Sequence, residues 1–166
     1  DLETAEICIR SALTGHLVLS TLHTNDAPSA INRLMDIGIE PYMITPSLLC
    51  VVGQRLIRRL CLDCKEAFEP VAKQIADYKI KADLIYKPKG CQKCNHLGYR
   101  GRMSIAEVML VNLEIREMIS QRATSQDIQE VARKTGMLSL YDSAMKKVEL
   151  GITSLEEAVS VTLGVD

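Results

Sequence analysis

Apolar positions near the start of the chain follow first a helical and then an extended pattern. Residues 2–13, LETAEICIRSAL, place apolar side chains at helical spacing. Residues 17–22 form a short run rich in Leu with no polar face, which predicts a strand buried on both sides in a parallel sheet. Asp26, followed by Pro28, predicts the start of a second helix that ends at Gly38. The order helix, strand, helix predicts an α/β fold.

Polar side chains appear where the predicted strand ends. Ligands of α/β proteins bind beyond the carboxyl ends of parallel strands, so this end is a candidate site. Two histidines border the strand, and alternation along it points His16 and His23 to opposite faces. Only His23 is placed for chemistry, although a single histidine at a strand end is more often structural. We expect a mainly structural role for His16.

The rest of the chain predicts one further strand before residue 60 and a helical C-terminal part. A strand is predicted at residues 54–60, QRLIRRL. A turn followed by a strand is predicted at residues 98–111, GYRGRMSIAEVMLV. From about residue 113 the pattern is helical, with Thr153 and Glu156 predicted as a capping box for the last helix. Because the strand at 17–22 has no upstream neighbour, we expect the chain to be the C-terminal part of a larger protein.

Composition narrows the class of protein. The chain has 166 residues, of which 47% are hydrophobic and 25% charged, as in an ordinary globular domain. Its 20 basic and 21 acidic residues give a formal net charge of -1, so no surface-wide attraction for nucleic acid is expected. No apolar run is long enough to span a membrane, and no signal peptide is recognisable. We expect a cytosolic location, at most peripheral to a membrane.

Four of the six cysteines form two matched pairs, CLDC at 61–64 and CQKC at 91–94. This spacing predicts a tetrahedral zinc site in which no coordination position is open and whose ligands are Cys61, Cys64, Cys91 and Cys94. The interval between the pairs exceeds the roughly 15 to 20 residues of compact zinc fingers, and a helix at VAKQIADYK is expected to fill it. The alternatives are a redox dithiol or unpaired core cysteines.

Four segments in one order resemble a known family. The four segments are TGHLVLSTLH, QRLIRRLCLDC, GCQKCNHLGYRGR and GITSLEEAVSVT. They are similar to the C-terminal part of the ATPases of type II secretion and type IV pilus assembly, the PulE/GspE family. The resemblance covers essentially the whole chain. It implies the C-terminal part of a RecA-like P-loop ATPase domain, a parallel sheet with helices, plus a tetracysteine zinc subdomain and a C-terminal helical subdomain. The implied divisions are residues 1–60, 61–101 and 102–166.

The resemblance also implies roles for particular residues. TGHLVLSTLH corresponds to the His box of the family, which places His23 beside the γ-phosphate of ATP as a catalytic residue. Thr21, Thr24 and Asp26 would orient it near the nucleotide. The tetracysteine insertion binds structural zinc in the secretion and assembly members and is absent from pilus retraction motors. Candidate arginines for nucleotide phosphates or a neighbouring subunit are Arg55, Arg58, Arg100 and Arg102.

The family implies a homo-hexameric motor that uses ATP and Mg²⁺, is cytoplasmic, and associates peripherally with inner-membrane platform proteins of the secretion or pilus system. No Gly in this chain is followed by Lys, so the phosphate-binding motif G-x-x-x-x-G-K-[ST] is absent and the chain alone should not hydrolyse ATP. The alternative is a zinc-ribbon module that contacts nucleic acid or a partner protein through arginines beside the metal. We expect no nucleic acid.

Overall fold

The computed structural model describes residues 1–163, which contain both helices and strands. The helices are α1 (Leu2–Leu13), α2 (Ala27–Ile37), α3 (Pro41–Ser47), α4 (Ala72–Tyr78), α5 (Leu113–Ser120), α6 (Ser125–Lys134), α7 (Leu140–Glu149) and α8 (Leu155–Leu163). The strands are β1 (Cys50–Leu60), β2 (Glu66–Phe68), β3 (Ile85–Lys87) and β4 (Tyr99–Leu110). Strands β1 and β4 pair with each other, and β2 pairs with β3 in antiparallel orientation.

Helices α1 and α2 occupy the residues that their apolar spacing predicts. The side chain of Asp26 accepts a hydrogen bond from the Ser29 N–H at the start of α2. Gly38 ends α2 in the left-handed conformation, at a φ of 112°, where glycine is favoured because it has no Cβ. The sequence predictions for both helices, and for a strand at residues 54–60, are therefore confirmed.

The strand predicted at residues 17–22 is wrong for this structure. These residues are not part of a strand, and Leu17 and Leu19 are 80% and 88% exposed. The apolar pattern is real, but a strand needs a neighbouring backbone to pair with. Within residues 1–163, β1 to β4 pair among themselves, and no backbone hydrogen bond joins 17–22 to any of them. An apolar pattern alone predicts burial wrongly where no neighbouring helix or strand covers the segment.

The described residues form two compact units, and the first is mainly helical. It comprises Asp1–Gly53 and Glu107–Leu138. Its core is built from apolar faces of α2, α3, α5 and α6 together with the C-terminal end of β4. The fully or almost fully buried members include Ile31, Ile44, Met109, Ile115 and Ile128. Helix α3, which the sequence analysis did not predict, packs against α1 and α5 in this unit.

The second unit contains the cysteines. It comprises Gln54–Ala106 and the chain from Ser139 onward. Its core joins β1, β3 and β4 to α7 and α8, with Ile57, Ile85, Ile105 and Val148 among its buried side chains. Helix α4 lies in the interval between the cysteine pairs, as the sequence predicts. The boundary between the units falls within β1 and within β4.

The compact units do not follow the predicted division at residues 1–60, 61–101 and 102–166. That division refers to segments of a longer ATPase and remains a prediction. One local detail is wrong, because the helix α8 is capped by Ser154, whose Oγ accepts the Glu157 N–H at 3.2 Å. The predicted capping residue Thr153 instead donates its hydroxyl to the Arg58 carbonyl at 2.9 Å.

Candidate functional site

The four paired cysteines converge in the second unit. Their Sγ atoms all lie within 4.8 Å of one another, and the closest pairs are 3.8 to 4.0 Å apart. Tetrahedral zinc with Zn–S bonds of about 2.3 Å separates its sulfur ligands by about 3.8 Å. A disulfide would require about 2 Å, and all four thiols are free. The convergence of four sulfurs, rather than two, suits a metal ion better than a redox dithiol.

Each cysteine pair forms a tight turn that aims both sulfurs to one side. After β1, the N–H groups of Cys64 and Lys65 donate to the Cys61 carbonyl, at 3.3 and 3.0 Å. In the second turn, Cys94 N–H donates to the Cys91 carbonyl at 3.2 Å. A hydrogen bond from the Cys61 N–H to the Gly98 carbonyl, at 2.9 Å, joins the two turns. Backbone bonds therefore preorganise the cluster.

Glycines permit the close approach of the two turns. A Cβ on Gly98 would lie 2.4 Å from Pro88 Cβ, and one on Gly90 would lie 2.6 Å from the His96 carbonyl oxygen. Both glycines have positive φ, which side chains disfavour. His96 is exposed and lies outside the cysteine cluster, so it is not a substitute ligand in this arrangement.

Backbone N–H groups favour the thiolate form of one cysteine. Burial opposes ionisation of Cys94, but the N–H groups of Cys91 and Gly98, 3.2 and 3.3 Å from its Sγ, lower its pKa overall. Burial raises the pKa of Cys64, and the neighbouring thiols raise it further. A metal ion would have to displace the proton of Cys64, as metal binding to cysteine generally does.

Ion pairs surround the cluster. Lys93 lies 2.5 Å from an oxygen of Asp63 and lowers the pKa of that carboxyl group. Lys89 lies 2.6 Å from Glu66, and its hydrogen bond lowers the pKa of Glu66. Lys65 donates to the Gly151 carbonyl at 2.7 Å. Asp63 and Glu66 balance the charges of Lys93 and Lys89, whereas Lys65 bonds to a neutral carbonyl and keeps its positive charge near the cluster.

The segment that carries the candidate catalytic residue lies in the first unit. Thr21 and His23 are exposed, in an extended stretch that belongs to no strand. Thr24 is half-buried, and its hydroxyl donates to the Asp26 carbonyl at 3.0 Å. Asp26 uses its carboxylate to cap α2. The structure therefore brings Thr24 and Asp26 together in one turn, three residues or fewer from His23, and leaves the imidazole open to solvent.

His16 is also exposed, with its Nδ1 3.1 Å from the Thr14 hydroxyl.

A buried glutamate beside this turn was missed by the sequence analysis. Glu107 on β4 is 2% exposed, and its Oε1 accepts the N–H of Ala27, the first residue of α2, at 2.6 Å. Gly53 on β1 leaves room for it, since a Cβ there would lie 3.0 Å from Glu107 Cγ and Oε1. The alternation of residues along β4 could have identified this glutamate from the sequence. Glu107 occupies the same strand face as the buried residues Ile105 and Met109, where a charge needs a specific partner.

The candidate arginines have different environments, and two are engaged within the second unit. Arg58 donates through Nε and Nη2 to Glu157 Oε2, and its guanidinium lies 4.2 Å from the centre of the Tyr99 ring. Arg55 Nη1 donates to the Val161 carbonyl at 2.6 Å. Arg100 and Arg102 are exposed near the start of β4. A role of these arginines at nucleotide or at a subunit boundary stays a prediction.

Comparisons with known proteins agree over the length of the chain. Residues 1–160 match the family described as Type II/IV secretion system protein. The chain is 51% identical over 165 residues to the type II secretion system ATPase E of Vibrio cholerae, covering 98% of this chain and 33% of that protein. It is 45% identical over 168 residues to the type IV pilus assembly ATPase PilB of Myxococcus xanthus, covering 98% and 30%. The chain thus spans about a third of the length of these relatives.

A solved structure shows the same fold. The ATPase DotB of Legionella pneumophila superposes with a TM-score of 0.64 at 18% identity, covering 99% of this chain and 37% of that chain. The α/β fold class predicted from the sequence is confirmed. The fold is thus shared with a solved ATPase structure, and the four-cysteine centre in the second unit is suited to a metal ion. The chain belongs to the Type II/IV secretion system protein family. The family resemblance read from its four motifs is confirmed.

Proposed function

We propose that this chain is part of an ATPase that powers type II protein secretion or type IV pilus assembly. The observation that carries the proposal is similarity along almost the whole chain, at 51% and 45% identity, to proteins named as ATPases of those two systems. Because the chain spans about a third of such proteins and has no G-x-x-x-x-G-K-[ST] motif, the hydrolysis is assigned to a longer polypeptide that contains it.

The metal of this protein is proposed to be structural zinc. Cys61, Cys64, Cys91 and Cys94 supply four sulfur ligands at separations that fit a tetrahedral ion. All four tetrahedral positions are then occupied by protein, so the metal has no open position for a substrate and serves folding. The cofactors of the hydrolysis itself are proposed to be ATP and Mg²⁺.

His23 is proposed to act at the γ-phosphate. Its imidazole is exposed, and the turn behind it is held by the Thr24 hydroxyl and by the Asp26 cap of α2. A donor held in place beside the transferring phosphoryl group stabilises the charge that develops there without reorganising during the reaction. Thr24 and Asp26 therefore act on the backbone that carries His23, while Thr21 lies exposed on the same segment.

The assembly and location are proposed as follows. The longer protein forms a homo-hexamer in the cytoplasm and docks on platform proteins of the inner membrane. Among residues 1–163 no helix has the length and apolar character to cross a bilayer.

The zinc-ribbon alternative receives little support. It relied on a basic patch of arginines, but Arg58 pairs with Glu157 and Arg55 with the Val161 carbonyl. The Glu157 carboxylate offsets the charge of Arg58, whereas the neutral carbonyl of Val161 leaves the charge of Arg55 in place. The loss of one unpaired cation weakens the attraction on which nucleic-acid binding depends. Binding of this chain to duplex DNA that weakens steeply with salt would favour the module over the motor.

The experiment measures ATP hydrolysis by the longer protein with His23→Ala and His16→Ala as a matched pair. Loss of a transition-state interaction should lower kcat by roughly 10² or more for His23→Ala and leave KM for ATP within a few-fold. His16→Ala, an exposed histidine on the same segment, should keep kcat near the wild-type value. Full turnover by a folded His23→Ala variant would refute the assigned role. The 166-residue chain alone should bind ATP no more tightly than millimolar, and micromolar binding by calorimetry would show that the missing motif was not needed.

A further inference from the structure

Helix α2 begins at a buried position that requires an acceptor. Ala27 is fully buried, so its N–H, the first of the helix, cannot bond to water. The Asp26 carboxylate, which caps the helix, accepts from the N–H of Ser29. Pro28, the next residue, has no N–H to satisfy. The acceptor for Ala27 is Glu107 Oε1, at 2.6 Å, from a strand far away in sequence.

The chemistry of this contact makes it a strong anchor. A hydrogen bond from a neutral N–H to a buried carboxylate is stronger than a neutral pair, and a negative charge at a helix N-terminus is favoured by the helix dipole. Gly53 on β1 leaves the space that Glu107 fills, since a Cβ there would lie 3.0 Å from Glu107 Cγ and Oε1. The start of α2 is thus tied to the part of β4 that belongs to the first unit.

The anchor lies close to the candidate catalytic residue. Between His23 and Ala27 the chain makes one turn, which the hydrogen bond from the Thr24 hydroxyl to the Asp26 carbonyl closes at 3.0 Å. This hydrogen bond lies between His23 and Ala27 along the chain, so we infer that a displacement of Ala27 is passed through the turn to the backbone of His23. Catalytic geometry is sensitive to such shifts, since a misplacement of about 1 Å can cost on the order of 10²-fold in rate.

We propose that Glu107 is a positioning residue: its buried carboxylate fixes the first residue of α2 and so the direction in which the His23 segment leaves that helix. The proposal rests on the proposed ATPase function for its catalytic consequence. Its structural part, control of the 23–27 backbone by Glu107, does not rest on that function. The role of Glu107 is to hold His23 in place through the backbone of residues 23–27.

The structural part is tested on the chain itself by hydrogen exchange and backbone NMR. Glu107→Ala should increase the exchange rate of the Ala27 amide at least 10-fold and shift the resonances of residues 23–27. Glu107→Gln keeps an oxygen acceptor and should restore most of the protection. The control is Glu149→Ala, which removes a carboxylate that also accepts a backbone N–H, that of Lys81, in the second unit. Unchanged exchange of Ala27 in a folded Glu107→Ala chain would overturn the proposal.

The catalytic part is tested in the longer protein with a double-mutant cycle. Glu107→Ala should lower kcat roughly 10-fold or more with KM for ATP within about threefold, and Glu107→Gln should recover turnover to within about threefold. If Glu107 acts through His23, the double variant Glu107→Ala/His23→Ala should be no slower than His23→Ala alone. Multiplied losses in the double variant would show an independent role and contradict the proposal.

A variant that leaves both residues intact covers the case in which Glu107→Ala does not fold. Gly53→Ala places a methyl group 3.0 Å from the Glu107 carboxylate and 3.2 Å from the Ala27 nitrogen, closer than ordinary contact. It should lower kcat in the same way and lose that effect in the His23→Ala background. A folded Gly53→Ala variant with normal turnover would count against the inference. A wild-type longer protein without ATPase activity would refute the proposed function and leave the exchange test standing.

Discussion

At the residue scale, two buried carboxylates do different work in the two units. Glu107 holds the start of α2, whereas Glu157, 6% exposed, holds β1 through Arg58. Glu157 Oε1 accepts the Arg58 backbone N–H at 2.9 Å while its Oε2 accepts the guanidinium. The Arg58 side chain is 56% exposed, so water still reaches part of it. Such a pair contributes mainly through its charged hydrogen bonds, because only one partner is fully desolvated.

The Glu157 pair predicts a pH-dependent loss of stability. Burial opposes ionisation of Glu157, but the hydrogen bonds from Arg58 outweigh it and lower the pKa of Glu157 in the folded chain. Since the folded pKa lies below the unfolded value of about 4.3, the pair stabilises above that pH and the contribution fades as pH falls through the folded pKa. Glu157→Gln should therefore cost roughly 1.5–3 kcal/mol at pH 7 and much less near pH 3.

The measurement is the difference in melting temperature between wild type and Glu157→Gln, followed by circular dichroism from pH 7 to pH 3. Taking the difference cancels effects of acid on the metal centre that both chains share. The matched control is Glu156→Gln, the exposed neighbour on the same helix, which should differ little from wild type at any pH. A difference for Glu157→Gln that grows towards low pH would mean that the sign of the linkage is wrong.

At the element scale, the two cysteine turns are expected to depend on a bound metal ion for their fold. The segment between Cys61 and Cys94 contains two three-residue strands, β2 and β3, and the short helix α4. None of the residues of α4 is buried. Such short elements are weakly stable without support. Joining the ends of the segment at one metal ion removes much of the conformational freedom of the unfolded loop.

Replacement of a cysteine ligand should therefore unfold this segment locally. Purified chain should contain about one zinc per molecule, and Cys61→Ser or Cys91→Ser should lose the zinc and the amide protection of residues 61–101. Cys8→Ser is the control, because Cys8 lies on α1 outside the cluster and should leave zinc content unchanged. Elemental analysis and hydrogen exchange provide the readouts. A Cys61→Ser chain that retains its full zinc would rule out four-thiolate ligation.

Prediction from the sequence succeeded for features that neighbouring residues determine, such as helix ends. It failed for features that depend on contacts between residues far apart in the chain. Caps and periodicity placed α1 and α2, and cysteine spacing predicted the convergence of the four sulfurs. The seven-residue helix α3, which contains Pro46, lacks the length and pattern that make a helix recognisable. Ser154 rather than Thr153 caps α8, because Thr153 bonds to the distant Arg58 carbonyl. The contact between Glu107 and Ala27 likewise needs a fold to bring β4 to α2.

At the scale of the whole molecule, each unit has its own apolar core. The first core contains only residues up to 53 or from 107 to 138, and the second contains only residues between those stretches or from 139 onward. All four clustered cysteines belong to the second unit, and His23, Asp26 and Glu107 to the first. The candidate metal centre and the candidate catalytic segment therefore depend on different sets of core contacts.

The exposed leucines at residues 17–22 have a consequence for the behaviour of the chain in solution. An extended apolar stretch with unpaired backbone groups is a template for β-type self-association, and this one presents Leu17 and Leu19 almost fully to water. The isolated chain should form oligomers at high concentration by light scattering, and Leu19→Lys should raise its solubility limit several-fold without altering its melting temperature. Leu150→Lys, at another exposed leucine, should give no such gain. Self-association of the chain would then depend on residues 17–22, although both of its apolar cores are well formed.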